Sequence, residues 1–229
     1  MQYLDPIQQK PKAEPQPQQG GAYKFHGNEA EIYDADREDT DKWRVEQKII
    51  EDWLSELPEG TRIIDAPVGT GRFLRHMIDR KLQFVGIDIQ FDMRAQAALK
   101  ILPREGVEHW VEQCNAQGGR DIPLRIKGHG LLMKGDVLKL PLEDKSADVA
   151  IACRITRWMM GNHGPDGICT MLREFQRVTR SKIILTARVY GKKVAVTEDL
   201  INSALSGWKI TRNVAGYELP YRIIMLEPA

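Results

Sequence analysis

Three aspartates follow short apolar runs whose length and composition are typical of buried β-strands. Asp65 ends the run Arg-Ile-Ile-Asp, Asp88 ends Phe-Val-Gly-Ile-Asp, and Asp136 comes shortly after Leu-Leu-Met. A carboxylate can accept hydrogen bonds from both hydroxyls of a ribose or from an exocyclic amine such as that of adenine. Because the carboxyl ends of parallel strands share one edge of a sheet, where open α/β sheets bind their ligands, this pattern predicts a nucleotide site.

A glycine-containing segment, Asp65 to Phe73, joins the first of these strands to a helix. Gly69 and Gly71 let the backbone turn tightly and approach a ligand closely, because they carry no Cβ. The helix that follows presents unpaired N–H groups and the positive end of its dipole, which suits an anionic ligand. Two glycines in a turn are weak evidence alone, and their position directly after a strand strengthens it. Asp88, 19 residues beyond Gly69, could equally be a helix cap if considered alone.

The elements that must position these residues alternate between strand and helix. Apolar residues at three- and four-residue spacing predict a helix from Asp41 to Leu57, capped by Thr40 or Asp41, with its apolar face on Val45, Ile49, Ile50, Trp53, Leu54 and Leu57. The alternation that follows indicates βαβ units and a parallel sheet covered by helices on both faces. The predicted strands are 62–65, 84–87, 131–133, 149–152 and 183–185, and the predicted helices are 73–78, 93–102, 168–178 and 198–205.

Three segments depart from this rhythm. Strands 208–211 and 221–226 are joined by so short a link, near Gly216, that they must be antiparallel. Residues 104–129 exceed what one crossover helix needs; they contain a predicted helix, Glu105 to Cys114, and form an insertion that is either a lid or a decoration. Residues 1–21 are rich in Gln and Pro, which predicts a disordered tail or a docking segment before a single domain at 22–229.

The composition is that of an ordinary globular protein. The 229 residues carry a net charge of +1, so the charge gives no reason to expect duplex DNA or a membrane surface as the main partner. The three cysteines, Cys114, Cys153 and Cys169, are too few and too scattered for a disulfide framework or a CxxC metal site, and we expect no metal. With no apolar run long enough to span a membrane and no secretory signal, we expect a cytoplasmic protein.

These motifs in combination resemble the class I S-adenosylmethionine-dependent methyltransferases. The chain is most similar to the branch whose third-strand segment reads Gly-Asp, then Leu-Pro, then Asp-x-Ser-Phe-Asp: here Gly135-Asp136, Leu140-Pro141 and Asp144-Lys145-Ser146-Ala147-Asp148. The segment from Glu174 to Val178 also resembles the branch's Glu-x-x-Arg-Val. The similarity covers about residues 40–229 and implies a Rossmann-like α/β fold: a seven-stranded sheet, mostly parallel, with an antiparallel C-terminal hairpin and helices on both faces.

The resemblance also implies a set of cofactor-binding residues for S-adenosyl-L-methionine. Asp65, Gly69 and Gly71 match the glycine-rich loop around the methionine moiety, with Pro67 in place of the loop's usual first glycine. Asp88, followed by Ile89, matches the acid that holds the ribose, and Asp136 and Val137 match the pair that lines the adenine. Cys153 and Arg154 occupy the end of the fourth strand, which usually contacts the methyl-donor region.

Several residues differ from the family pattern. Pro67 removes one N–H donor from the loop, Ala147 replaces a common aromatic residue, and Thr179 to Lys182 lacks the family's Pro-Gly-Gly turn on the substrate side. A nicotinamide cofactor is the competing interpretation. Its fingerprint requires a third glycine where this chain has Leu74, so the methyl donor is favoured.

The acceptor is less well defined by the sequence than the donor. Arg154, Arg157 and His163 lie in the predicted substrate rim and are the candidates for a catalytic role. The resemblance to this branch and the near-neutral charge favour a small-molecule acceptor. The two arginines favour one with an anionic group, although one arginine could instead pair with a local acid and the other be solvated. Motifs typical of DNA base methylation are missing at Ala152-Cys153, yet a nucleic acid or protein acceptor stays open, as does the oligomeric state. The alternative function is an S-adenosylmethionine-binding protein with a structural or regulatory role.

Overall fold

The computed structural model describes residues 28–35, 40–190, 193–194, 196–215 and 221–229. In these residues the strands are β1 (Arg62–Asp65), β2 (Gln83–Asp88), β3 (Leu124–Ile126), β4 (Gly130–Lys134), β5 (Ala147–Ala152), β6 (Thr179–Tyr190), β7 (Lys193–Val194), β8 (Trp208–Val214) and β9 (Tyr221–Pro228). The helices are α1 (Asn28–Glu31), α2 (Asp41–Ser55), α3 (Leu74–Asp79), α4 (Phe91–Leu99), α5 (Arg104–Ala116), α6 (Thr156–Val178) and α7 (Glu198–Ala204). The tail at 1–21 and the hairpin turn near Gly216 lie outside the described residues.

The strands form one mixed sheet in the order β3-β4-β2-β1-β5-β6-β9-β8, with β7 paired to β6. The neighbours from β4 to β6 are parallel, whereas β9 is antiparallel to both β6 and β8. This arrangement confirms the predicted fold class with its antiparallel C-terminal hairpin. All seven predicted strands are present, and β3 and β7 are additional; with three and two residues they are too short to show an apolar pattern.

Neighbouring residues of the central strands face opposite sides, so two hydrophobic clusters form, one on each face of the sheet. Ile64 and Ala150 pack with α6 and α7, whereas Ile63 and Val149 pack with the helices from α2 to α5. Because both faces of the parallel strands are covered, polar ligands can approach only at the strand ends.

The buried face of α2 differs from the predicted one. Thr40 caps the helix by accepting a hydrogen bond from the Trp43 amide, as expected. The buried residues are Trp43, Glu46, Ile50, Trp53 and Leu54, whereas Val45 is 41% exposed. The prediction counted only apolar residues and therefore placed Val45 inside instead of the carboxylate of Glu46, one position along the chain.

Helix α6 begins at Thr156, so the segment predicted as the substrate rim is helical. The helix is interrupted at Gly164, whose φ of 63° is non-helical, and Pro165 follows. Gly161, Gly164 and Pro165 are poor helix formers, which is why the apolar pattern indicated a helix only from Ile168 onward.

The Glu-x-x-Arg-Val segment ties the end of α6 to the loop before β5. Arg177 donates hydrogen bonds to the carbonyl oxygens of Leu140 and Leu142, at 3.0 and 2.8 Å, and to Asp144. Glu174 accepts from the Leu140 amide at 2.9 Å, and its hydrogen bond with Arg177 holds the pKa of its carboxyl below the usual value. These contacts give the motif a structural role in positioning the loop that follows Asp136.

Candidate active site

A cavity opens at the carboxyl ends of the parallel strands, between the loops that follow β1, β2, β4 and β5. Helix α2 and the segment 28–35 contribute Trp43 and Tyr33 to its wall. Nine of the residues predicted to bind a cofactor line it: Asp65, Pro67, Gly69, Asp88, Ile89, Asp136, Val137, Cys153 and Arg154. The topology thus brings together residues that lie up to 89 positions apart in the chain, from 65 to 154.

The loop after β1 is held in place by backbone hydrogen bonds to its neighbouring strand. The Val68 amide donates to the Ile87 carbonyl oxygen at 2.8 Å, and the Gly69 amide donates to Asp88 Oδ2 at 3.0 Å. Gly69 has a φ of +53°, and a Cβ on it would lie 3.4 Å from the Met93 side chain. A glycine at this position therefore fits the left-handed backbone, which side chains with a Cβ rarely adopt.

Gly71, the tenth residue predicted to bind the cofactor, does not line the cavity. Its surroundings favour a glycine for a different reason. Its φ is +74°, and a Cβ would lie 2.8 Å from Ala97 Cβ and from the Leu74 side chain. Gly71 therefore allows the chain before α3 to approach α4, which is a packing role.

Asp88 is buried, with 6% of its surface exposed. One carboxylate oxygen accepts from the Gly69 amide and the other from the Gln90 amide at 2.9 Å. Burial raises the pKa of Asp88, while these amide hydrogen bonds oppose that shift. The main-chain oxygen of Asp88 accepts from the fully buried Arg94 at 2.6 Å, which fixes the end of β2.

Asp65 is a buried acid of the cavity that, among the described residues, lacks a hydrogen-bond partner on one oxygen. It is 2% exposed, and its Oδ2 has no hydrogen-bond partner within the described part of the chain. Burial, and then the neighbouring Asp88, raise the pKa of Asp65 to about 8. A buried carboxyl in this state favours a ligand that supplies a hydrogen-bond donor or a positive charge.

The third predicted acid lies at the open side of the cavity. Asp136 is exposed and accepts a hydrogen bond from the Leu138 amide at 2.9 Å, which forms a turn directly after β4. Val137 beside it is buried. The pair therefore places an apolar side chain next to an exposed carboxylate in the cavity lining.

Cys153 and Arg154 follow β5 and lie on the wall of the same cavity. Burial, followed by the carboxylates of Glu46 and Asp65, raises the pKa of the Cys153 thiol well above its usual value. The thiol is therefore protonated near neutral pH, which is unfavourable for a nucleophile. Arg154 has a φ of 58°, and its amide donates to Thr186 Oγ1 at 2.7 Å, so a buried threonine supports this left-handed residue.

A buried carboxylate joins two arginines of this wall. Glu46 has no exposed surface, and its Oε2 accepts from Arg72 Nη1 at 2.8 Å and from Arg154 Nε at 2.7 Å. Both guanidinium groups lie over the ring of Trp43, with their central carbons 3.7 and 4.3 Å from its centroid. The three elements that carry Glu46, Arg72 and Arg154 are thereby joined at one point beside the cavity.

A family model described as a methyltransferase domain matches residues 64–185, which is more than half of the chain and contains the loops of β1, β2, β4 and β5. The chain belongs to this family of S-adenosylmethionine-dependent methyltransferases. A sequence search of curated proteins found no match.

Solved methyltransferase structures share the fold at low sequence identity. Magnesium protoporphyrin IX methyltransferase of Synechocystis PCC 6803, crystallised with bound SAM, is 16% identical over 81% of this chain and 79% of that chain, with a TM-score of 0.57. A methyltransferase of Clostridium acetobutylicum ATCC 824 is 13% identical over 87% and 97%, with a TM-score of 0.55. One of Aquifex aeolicus is 17% identical over 79% and 88%, with a TM-score of 0.51. These similarities concern the fold.

The three candidates for a catalytic role in this methyltransferase are separated by the structure. Arg154 lines the cavity, whereas Arg157 and His163 do not belong to its lining and are exposed. His163 lies in α6 instead of a loop, and its ring packs against Trp158 with the centroids 5.2 Å apart. Arg157 and His163 were predicted at the site because they follow the fourth predicted strand. The structure places both on α6 outside the cavity lining, with His163 packed against Trp158, which belongs to the lining.

The sequence analysis missed Trp43, Glu46, Arg72 and Tyr33. A usable signal existed for Glu46, because it lies three residues from Trp43 and four from Ile50, at the spacing of one helical face. A carboxylate on an otherwise apolar face is costly to bury without a partner, so its position should have predicted an arginine nearby. Tyr33 had no comparable signal; Asp34 beside it ties its segment to Thr70, whose hydroxyl donates at 2.7 Å, and to Lys100.

The insertion at 104–129 packs against α4. Trp110 stacks on Phe91 with centroids 4.9 Å apart and donates to the Ile122 carbonyl oxygen at 2.7 Å. Buried Arg94 also contacts Asp121. None of the residues that line the cavity, in the part of the chain that is described, comes from 104–129, so the predicted lid role stays a prediction.

The described residues contain no group of three or more His, Cys, Asp or Glu side chains suited to holding a metal ion. No helix among them combines the length and apolar character that crossing a membrane requires.

Proposed function

We propose that this protein transfers the methyl group of S-adenosylmethionine to a small molecule that carries an anionic group. The observation that supports this most directly is that three acids and an arginine line the same cavity: Asp65, Asp88, Asp136 and Arg154. The acids suit S-adenosylmethionine, the methyl donor. Arg154 and the aromatic residues around it suit a methyl acceptor of limited size.

The residues present fit the donor. Asp65 Oδ2 is buried without a partner in the described residues, and it would accept a hydrogen bond from the ammonium of the methionine moiety. Asp88, at the tip of β2, would hold the ribose hydroxyls, with Ile89 beside it. Val137 offers an apolar surface for the adenine, and Asp136 offers an acceptor for its exocyclic amine. Gly69 leaves room for close approach, and Pro67 contributes apolar surface without an amide.

The remaining wall favours an acceptor with apolar and anionic parts. Tyr33, Trp43, Ile155 and Trp158 provide apolar surface, and Arg154 provides a guanidinium group. An arginine binds a carboxylate or phosphate through parallel hydrogen bonds. Apolar surface beside a guanidinium group supports a small molecule that has an apolar part and an anionic group.

For methyl transfer the protein must align the donor with the acceptor, and acid–base catalysis is less important. The sulfonium supplies an activated methyl group: a bond forms between the acceptor atom and the methyl carbon while the carbon–sulfur bond breaks, and sulfur retains the electron pair. The residues of the wall hold the acceptor in line and exclude water, which can contribute several kcal/mol. The protonated Cys153 thiol is not needed as a nucleophile, and a general base is required only if the acceptor must lose a proton.

The decisive experiment titrates the protein calorimetrically with S-adenosylmethionine and S-adenosylhomocysteine, then screens anionic and neutral small molecules for methyl transfer from a labelled donor. With an acceptor in hand, Arg154→Ala should raise its KM by about 10-fold or more, as expected for a lost charged hydrogen bond. Arg157→Ala should leave that KM unchanged, because Arg157 is outside the cavity lining. Turnover only with a nucleic acid or protein would contradict the small-molecule proposal, and binding without any turnover would favour the structural or regulatory alternative.

A cytoplasmic location forms part of the same proposal. All three cysteines are free, and two of them are buried, as is common for proteins of reducing compartments.

A further inference from the structure

One buried arginine connects the insertion at 104–129 to the donor side of the cavity. Arg94 lies on α4, has no exposed surface and does not line the cavity. Its Nη1 donates to the main-chain oxygen of Asp88 at 2.6 Å, and its Nη2 contacts Asp121 of the insertion. A single guanidinium group thus joins the tip of β2 to a segment that, in the described part of the chain, contributes no residue to the cavity lining.

Arg94 bridges its two partners instead of pairing fully with one of them. A guanidinium group and a carboxylate bind most strongly through two parallel hydrogen bonds. Here Arg94 Nε and Asp121 Oδ1 are both buried, and neither has a hydrogen-bond partner among the residues that the structure describes. Because an unpaired buried polar atom costs free energy, an arginine that only neutralised Asp121 would place its fork on both carboxylate oxygens. The observed geometry instead keeps one nitrogen on Asp88.

The position of Asp121 is fixed by the packing of the insertion on α4. Trp110 of α5 stacks on Phe91, the first residue of α4, with the ring centroids 4.9 Å apart, and its Nε1 donates to the Ile122 carbonyl oxygen at 2.7 Å. The guanidinium carbon of Arg94 lies 5.6 Å from the centroid of the same Phe91 ring. Asp121, next to Ile122 in the chain, is therefore held against Arg94 by a segment that is fastened to α4.

The main-chain oxygen of Asp88 is the point at which this contact can affect the site. Besides the bond from Arg94, it accepts from the Gly135 amide at 3.4 Å, and Gly135 directly precedes Asp136. Burial raises the pKa of Asp88, and the charge of Arg94 is among the groups that oppose this rise, after the amides of Gln90 and Gly69. Arg94 therefore supports both the position and the negative charge of Asp88.

We propose that Arg94 is a positioning residue for donor binding and that Asp121 sets its orientation from the insertion. The inference rests on the proposed function, because it requires that Asp88 binds the ribose hydroxyls of the donor. It assigns residues 104–129 a role that differs from both a lid and a decoration: the insertion supports the site from outside the cavity. Loss of either contact would release the tip of β2 without removing any group that touches the donor.

The test compares two ligands that differ only in the ribose hydroxyls: S-adenosylhomocysteine and its analogue that lacks both of them. Wild type, Arg94→Lys, Asp121→Ala and the control Glu112→Ala are titrated with each ligand by calorimetry. Lysine keeps the charge of Arg94 but cannot reproduce the planar fork that reaches two partners. Glu112 is a suitable control because it is an exposed acid on α5 of the same insertion.

We expect wild type to bind S-adenosylhomocysteine about 10- to 100-fold more tightly than the analogue, the range of one or two charged hydrogen bonds. This ratio should fall to a few-fold in Arg94→Lys and in Asp121→Ala, with little change in the affinity for the analogue. Glu112→Ala should keep the wild-type ratio. A structural role alone would weaken both ligands equally and leave the ratio intact.

Three results overturn the inference, and they can be told apart. A wild-type ratio that persists in Arg94→Lys and Asp121→Ala removes the positioning role and leaves the proposed function standing. A wild type that binds both ligands equally removes Asp88 from the ribose, and the inference fails with it. If wild type binds no S-adenosylhomocysteine at all, the proposed use of the donor fails first.

Folding of each variant is checked by circular dichroism. If one of Arg94→Lys and Asp121→Ala does not fold, the other decides the test, because the two substitutions remove opposite ends of the same contact. The side chain of Asp121 is 21% exposed, whereas that of Arg94 is fully buried, so Asp121→Ala is the milder change.

Discussion

The Gly69 amide donates a hydrogen bond to Asp88 Oδ2 across 3.0 Å, which joins the loop after β1 to the tip of β2. The two residues are 19 positions apart and belong to neighbouring parallel strands. Asp88 therefore has two tasks: it shapes the glycine-containing loop, and in our proposal it also binds the ribose. A substitution at Asp88 should affect both.

Asp88→Ala should weaken binding of S-adenosylhomocysteine by about 100-fold or more, because ribose hydrogen bonds and the loop restraint are lost together. Isothermal titration calorimetry measures this directly. Asp79→Ala is the matched control, since Asp79 is exposed at the end of α3 and should leave the affinity unchanged. Similar affinities for Asp88→Ala and wild type would remove Asp88 from the donor site.

Gly71→Ala should lower the free energy of unfolding by about 2 to 4 kcal/mol, through backbone strain and overpacking combined. The backbone φ is +74°, and the new methyl group would lie 2.8 Å from Ala97 Cβ. Gly118→Ala isolates the strain, because Gly118 has a φ of +70° and nothing within 4 Å of the added Cβ. Urea unfolding should show a larger loss for Gly71→Ala; equal losses would argue against the packing role.

Asp65 should make the stability of the ligand-free protein depend on pH. Burial and the nearby Asp88 raise its pKa from 3.8 to about 8 in the folded state. The folded protein therefore holds a proton that the unfolded chain has released between these pH values, so the free energy of unfolding decreases as pH rises through this window. Below pH 3.8 both states are protonated, and the contribution of Asp65 is fully present.

Asp65→Asn should flatten this decrease, because asparagine does not titrate. Chemical unfolding of both proteins at about pH 5 and about pH 8 gives the two slopes. The control is Asp52→Asn at an exposed position of α2, which should retain the wild-type dependence of the free energy of unfolding on pH. If Asp65→Asn and wild type lose stability in parallel with rising pH, the buried acid is already ionised at low pH and the expectation is wrong.

Thr186→Val should destabilise the protein by about 1 to 3 kcal/mol, because the Arg154 amide would lose its acceptor at 2.7 Å in a partly buried, left-handed turn. Thermal unfolding provides the measurement. Thr170→Val removes a hydroxyl that donates to the Asp166 carbonyl oxygen at 2.9 Å on the exposed side of α6, and should change stability by less than about 0.5 kcal/mol. Equal effects of the two substitutions would show that Thr186 does not support Arg154.

Much of the fold could be predicted from local patterns. The strand Arg62–Asp65 has the predicted bounds, and α5 extends the predicted helix by one and two residues at its ends. These elements are regular and apolar, so period and turn residues identify them. The first half of α6 was missed because its glycines and Pro165 obscure the helical pattern, and the tertiary packing of Met159 and Ile168 overrides that weak propensity.

The candidate site likewise contains residues that local sequence patterns predict and contacts that only the tertiary structure shows. Asp65, Gly69, Asp88 and Asp136 could be placed from the sequence because strand ends and turns are local features, and a parallel sheet brings successive strand ends to one edge. Arg154 was also predicted as a site residue, but its contacts with Trp43 and Glu46, and those of Arg72 with the same two residues, were decided only by the tertiary structure. These residues are separated by up to 111 positions, from Trp43 to Arg154, and their contact depends on how α2 packs across the sheet, which no local pattern records. The sequence by itself thus determined the strand ends and turns that carry Asp65, Asp88 and Asp136, whereas long-range packing decided which residues of α2 contact Arg72 and Arg154 beside the cavity.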